Sequence, residues 1–182
     1  MLEAVRENIF SLAPKHWFSI IYKISSGQTK IGCIHLNLFL SYKAKLGIDG
    51  KTYKIYPKPG QGIRLGLMTG IYLLENDGIN IAQYESTQPI GFISFPGASL
   101  VNIEGRLTYN GRSFFLKTKS FRKQQFSLLE NGQEVGDLHV EREFLLQKLI
   151  ADLPSNIPIE IQVFLLWVLL CAWKVSSETG GD

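Results

Sequence analysis

Val163-Phe-Leu-Leu-Trp-Val-Leu-Leu-Cys-Ala-Trp173 is the stretch whose reading decides the fold. No polar residue interrupts it, so a helix built from it has no face left for water; such a helix is enclosed by protein or sits in lipid. Ser155 or Asn156 supplies an N-cap upstream, Pro158 suits the first turn, and Glu160 complements the positive end of the helix dipole. The uninterrupted run is 11 residues, whereas a span needs roughly 20. Extending it back to Ile157 takes in Glu160 and Gln162; extending it forward meets Lys174 and Ser176-Ser-Glu178. The length favours a central buried helix over residues 157–175, followed by a polar tail at 177–182. The alternative is a C-terminal tail anchor with Trp167 and Trp173 at the membrane interface.

Working outward, the rest of the chain must supply what encloses that helix. At 182 residues, 45% apolar and 19% charged, the sequence fits one packed domain and argues against disorder. A net charge of +3 does not call for nucleic acid, and none is expected as a partner. Cys33 and Cys171 make no disulfide framework, and the first residues lack a secretory apolar core, so a cytoplasmic protein is expected. Leu2, Val5, Ile9 and Leu12 recur at helical spacing before Pro14, which predicts a short amphipathic helix over residues 1–14.

From Trp17 onward, runs of Ile, Tyr, Phe, Val and Thr alternate with glycine turns, and segments repeat. GQTKIGCIHL (27–36) resembles GQEVGDLHV (132–140), and IGFISF (90–95) reads as a third copy. Alternation puts Ile34 with Leu36, Ile93 with Phe95, and Leu138 with Val140 on one face. DGKTYKI (49–55) matches NGRSFFL (110–116), where Asp-Gly and Asn-Gly are hairpin signals that turn Tyr53, Ile55, Phe114 and Leu116 to the core. Further turns are expected at Asn76-Asp-Gly78 and Asn131-Gly132. Two full strand units and a third that runs into the helix follow from this pattern.

Repeating strand-turn units with a glycine near the strand start, closed by a late apolar helix, resemble the Tubby C-terminal-like superfamily of Tubby proteins, phospholipid scramblases and LURP-one-related proteins. The resemblance covers residues 17–175. It implies a mainly β fold: a closed antiparallel barrel of about twelve strands around a central hydrophobic helix, with the short N-terminal helix outside and one domain over residues 15–176. No acidic cluster like the scramblase calcium segment is present, since Glu75-Asn-Asp77 reads as a turn, and no cysteine-rich palmitoylation stretch occurs; scrambling does not carry over.

The resemblance also directs attention to phosphoinositides, which Tubby proteins bind in a basic pocket. Two basic clusters stand out: Lys43, Lys45, Lys51, Lys54, Lys58 and Arg64, then Arg106, Arg112, Lys117, Lys119, Arg122 and Lys123. Candidate lipid-binding residues are Lys43, Lys45, Lys54, Arg112, Lys117, Lys119, Arg122 and Lys123. The expectation is a non-enzymatic module, peripheral at a membrane, that holds an anionic lipid or a protein partner. The competing reading is an interaction or scaffold module whose lysines only keep the strands solvated. His35 and His139 occupy the same place in two repeats, with Ser94 in the third, but lack partners at metal-ligand spacing, and no metal or other cofactor is expected. Cys33 and His35 share a strand face without an orienting third group, so catalysis is not expected either. Gly60-Gln-Gly62 with Gly66 and Gly70 lacks a P-loop ending and reads as a connection.

Overall fold

The account of the fold rests on a computed structural model that describes residues 9–14, 21–37, 43–58, 70–87, 91–95, 98–143 and 146–179. Fourteen strands and one helix follow in chain order: β1 Ile9–Pro14, β2 Ile21–Ser26, β3 Thr29–Asn37, β4 Lys43–Ile48, β5 Lys51–Pro57, β6 Ile71–Asn76, β7 Ile79–Ser86, β8 Gly91–Phe95, β9 Ala98–Asn102, β10 Glu104–Tyr109, β11 Arg112–Ser120, β12 Gln125–Glu130, β13 Gln133–Glu143, β14 Leu146–Asp152 and α1 Ile159–Thr179.

Type I′ turns connect four of the hairpins. Asp49-Gly50, Asp77-Gly78, Asn110-Gly111 and Asn131-Gly132 all carry positive φ at both central residues, the geometry whose twist matches the flanking strands. Three hairpins carry a register shift at the same place: between Ile24 and Ser25 in β2–β3, Leu74 and Glu75 in β6–β7, and Leu128 and Leu129 in β12–β13. In register, Gly32 faces Ile24, Ala82 faces Leu74 and Gly136 faces Leu128. The third copy of the strand motif is therefore β7, with Ala82 in the glycine's place. It is not the segment at residues 90–95, where β8 pairs only with β9 in a separate hairpin. His35 and His139 do correspond, but their counterpart is Glu85 rather than Ser94.

Each unit runs through two antiparallel hairpins: β2–β5, then β6, β7, β10 and β11. The third has β12, β13 and β14 before the chain turns into α1. These eleven strands form one continuous antiparallel sheet with edges at β2 and β14, and β1 hydrogen-bonds to both of them. β1 thus takes the place beside β14 that β5 takes beside β4.

The expected architecture is corrected here. Residues 9–14, read as part of an amphipathic helix over 1–14, are a strand, and residues 1–8 of that reading lie outside the described residues. The strands after residue 15 do not close a barrel of twelve by themselves; they make an open sheet of eleven, whose edges only β1 joins. Cross-strand pairing on both sides satisfies the backbone of β1, which outweighs the helical spacing of four apolar side chains.

The sheet curves around α1. Residues 161–172 of the helix are all buried, and Trp167 stacks on Phe164 (centroids 5.9 Å apart) and meets Tyr72 edge-on at 5.4 Å. The inward sheet residues Ile34, Leu46, Ile55, Leu74, Leu107, Phe114, Leu116, Leu128 and Leu138 complete the core. Pro158, rather than Ser155 or Asn156, caps the helix: its carbonyl accepts from the N–H groups of Ile161 (3.0 Å) and Gln162 (3.1 Å). The helix runs on through residue 179, so the expected tail at 177–182 begins inside it. Among the described residues no helix is long and apolar enough to cross a membrane.

Candidate functional site

The lysines of the first basic cluster alternate with core residues along two paired strands. In β4, Ala44 and Leu46 are buried while Lys43 and Lys45 are exposed; in β5, Tyr53 and Ile55 are buried while Lys54 is exposed. Lys45 lies directly opposite Lys54 on one side and His35 on the other, and Lys43 opposite Asn37. Lys23 on β2, Lys30 on β3, Lys51 and Lys58 are exposed as well. Between residues 21 and 58 there are seven lysines and a single acid, Asp49. Like charges opposite one another in a sheet repel, and the salt bridge seen in this group runs from Lys54 to Glu75 on β6, at 3.4 Å.

The second cluster is built differently, because β10–β11 lies beside strands rich in carboxylates. Arg112 donates from Nε to Glu130 Oε1 (2.8 Å) and from Nη2 to Glu130 Oε2 (2.9 Å), a bidentate pair across β11–β12. Its Nη1 reaches the Asn156 carbonyl (3.2 Å), and its guanidinium lies 4.8 Å from the Phe114 ring centroid. Arg112 therefore fastens the turn before α1 to the sheet. Lys119 pairs with Glu134, which also accepts from Ser127 Oγ at 3.1 Å. Lys117 lies opposite Glu104, and Arg106 opposite Glu85. Arg122 and Lys123 are exposed in the turn between β11 and β12.

The eight candidate residues do not form one surface. β10, β7, β6 and β5 separate β11 from β4 in the sheet, so Lys43, Lys45 and Lys54 occupy one wall while Arg112, Lys117, Lys119, Arg122 and Lys123 occupy another. Arg64 lies outside the described residues, as do Gly60, Gly62 and Gly66.

Three of the carboxylates, those of Glu75, Glu130 and Glu134, titrate low. The Tyr56 hydroxyl, which donates to Glu75 Oε2 at 2.7 Å, and then Lys54 hold the Glu75 carboxyl below its usual range. Arg112 does the same for Glu130, and Lys119 with Ser127 for Glu134. A carboxyl depressed in the folded state adds stability above its unfolded value, and that stability is lost as pH falls through the folded value. The melting temperature is therefore expected to decline once pH drops below about 4.3, the ordinary glutamate value. In the Glu75→Gln, Glu130→Gln, Glu134→Gln triple variant the decline should be shallower. Thermal melts at stepped pH check this, and equal slopes for the two proteins would contradict it.

Two further groupings sit on the outer faces. Cys33 Sγ lies 3.5 Å from His35 Nε2, with Lys23 opposite the cysteine and Lys45 opposite the histidine. Among the described residues no third group orients the imidazole. His139 Nδ1 lies 3.1 Å from Asp137 Oδ2, and its Nε2 lies 3.8 Å from Glu141 Oε1. That row is readable in the sequence, since Asp137, His139 and Glu141 alternate along one strand face. Among the described residues no three His, Cys, Asp or Glu side chains converge as a metal site. Comparison with protein-family models, curated proteins and solved structures finds no match to the chain.

Proposed function

We propose that the protein is a non-enzymatic binding module that holds an anionic, phosphoinositide-like membrane lipid against the outer face of β2–β5, as a peripheral protein on the cytoplasmic side of a membrane. The supporting observation is the contrast between the two walls. On β2–β5 and at Lys58 just beyond, seven lysines face solvent with Asp49 alone among them, and Lys45 and Lys54 oppose one another. On β10–β11 four of the basic residues already stand opposite or bonded to acids. Basic side chains near an anionic leaflet contribute about 1 kcal/mol each, so three or four engaged lysines give reversible, salt-sensitive attachment. Outward charge and inward apolar residues also fit a protein lying on a membrane rather than a β-barrel spanning one, whose outer band is apolar. Kinship with the Tubby-like superfamily belongs to the same proposal.

Flotation with liposomes tests it. The full chain should float with phosphoinositide-containing vesicles at low salt, much less at physiological salt, and not at all with neutral vesicles. Failure to float with anionic vesicles at low salt would overturn the lipid reading and favour a protein-interaction module.

A further inference from the structure

The first two units are alike enough to be compared contact by contact; in the third the equivalent donor position is Pro154, which has no N–H. In the first unit the strand pairing continues past Gly32 and Ile48: the Asp49 N–H donates to the Ile31 carbonyl at 3.3 Å, sealing the end of β3 against the β4–β5 turn. In the second unit the corresponding residues are Asn110 and Ile81, just beyond the pair Ala82–Tyr109. No backbone hydrogen bond joins them. The two units also differ in the residue at the glycine's position. A Cβ at Gly32 would lie 2.1 Å from the Gly47 carbonyl oxygen, so β4 comes that close only because no side chain is there. Ala82 carries the methyl, and the neighbouring backbone must stand further off.

Beside this position lies a groove of about 270 Å³ between the β6–β7 and β10–β11 hairpins, lined by Asn80, Ile81, Gln83, Thr108, Tyr109 and Asn110, among others. Its chemistry is uniform. No lining residue is charged; three carboxamides and a hydroxyl supply donors and acceptors, and Tyr109, Ile81 and Leu73 supply apolar surface. The Asn80 side chain is positioned from outside, its Oδ1 lying 3.1 Å from the Tyr56 hydroxyl. Gln83 and Thr108 are direct cross-strand partners, and Leu73 continues the same row on the other side of Gln83.

We infer that this groove binds a neutral, hydroxyl-rich ring, a pyranose sugar or a sugar-like polyol. The absence of charge disfavours phosphates, carboxylates and amines, which would leave water without an opposite charge to meet them. Planar amides serve alternating hydroxyls as both donor and acceptor, while the apolar surface accepts the C–H face of the ring. The volume lies just under the roughly 300 Å³ at which pockets for drug-sized ligands begin, which suits one ring. The site uses none of the lysines of β2–β5, so it stands or falls independently of lipid binding.

Saturation-transfer NMR on the full chain tests this, with glucose, galactose, mannose and N-acetylglucosamine, and with glucuronate, inorganic phosphate and an uncharged hexapeptide for comparison. Transfer to at least one neutral ring is expected. Two hydrogen bonds removed by Gln83→Ala with Asn110→Gly should weaken it about tenfold, without altering the melting temperature; glycine keeps the positive φ that Asn110 needs (47°). No transfer to any neutral ring at tens of millimolar, transfer indifferent to both substitutions, or binding of the peptide or the anions alone would overturn the inference.

Discussion

Trp167→Asp is expected to abolish cooperative folding. The indole is fully buried at the middle of α1, between Phe164 and Tyr72. Truncating a buried tryptophan costs about 3–5 kcal/mol, and an unpaired carboxylate in its place adds several kcal/mol more. A domain's whole stability is about 5–15 kcal/mol, so little or none remains. Circular dichroism melts read the outcome directly. Trp167→Phe is the control: it keeps an aromatic ring and removes an indole N–H that has no partner among the described residues, and it should still melt cooperatively. A Trp167→Asp protein with a cooperative transition near that of the wild type would refute the enclosed helix.

Gly32→Ala is expected to be the most damaging single-methyl change in the sheet. The added Cβ would sit 2.1 Å from the Gly47 carbonyl oxygen and 3.2 Å from the Ile48 Cα. Both are backbone atoms in a paired strand, so relief requires β3 and β4 to separate. Overpacking of this kind costs about 3 kcal/mol, which for a domain of this size lowers the melting temperature by roughly 6–12 °C. Ala82→Gly, the reverse change at the equivalent place in the second unit, meets no such obstacle and should cost only about 1 kcal/mol. Equal losses for the two variants would show that the units do not differ in the way the register implies.

What the sequence disclosed is tied to local signals. The enclosed helix followed from a run without polar residues, the hairpins from Asp-Gly and Asn-Gly pairs, and the inward faces from alternation, as at Tyr53 and Ile55 or Phe114 and Leu116, all of which are buried. What it hid depends on distant partners. A six-residue strand carries too few side chains to separate a period of 2 from 3.6, and β1 is held by β2 and by β14 from the far end of the chain. The third copy of the strand motif is hidden in the sequence because Ala82 stands where the other two carry glycine. Pro158 holds the N-cap position, and its carbonyl accepts the first intrahelical bonds, from the N–H groups of Ile161 and Gln162.

The charges divide in the same way. Both basic clusters were plain as composition. Their difference was not, since Arg112 and Glu130 are 18 residues apart and Lys119 and Glu134 are 15 apart until β11–β12–β13 pairing brings them together. Among the described residues, lysine-rich β2–β5 has no such carboxylate-bearing neighbour except Glu75. Composition makes the two walls look equal, whereas among the described residues the pairing supplies the second with more acids than the first.

The most direct measurement is therefore a side-by-side flotation of three proteins with phosphoinositide-containing vesicles at low salt: the wild type, a Lys43→Gln, Lys45→Gln, Lys54→Gln variant, and a Lys117→Gln, Arg122→Gln, Lys123→Gln variant. With about 1 kcal/mol lost per lysine, the first variant should bind on the order of a hundredfold more weakly, while the second stays within a few-fold of the wild type. Loss of binding in the second variant with the first unaffected would contradict the assignment of the lipid-facing wall to β2–β5.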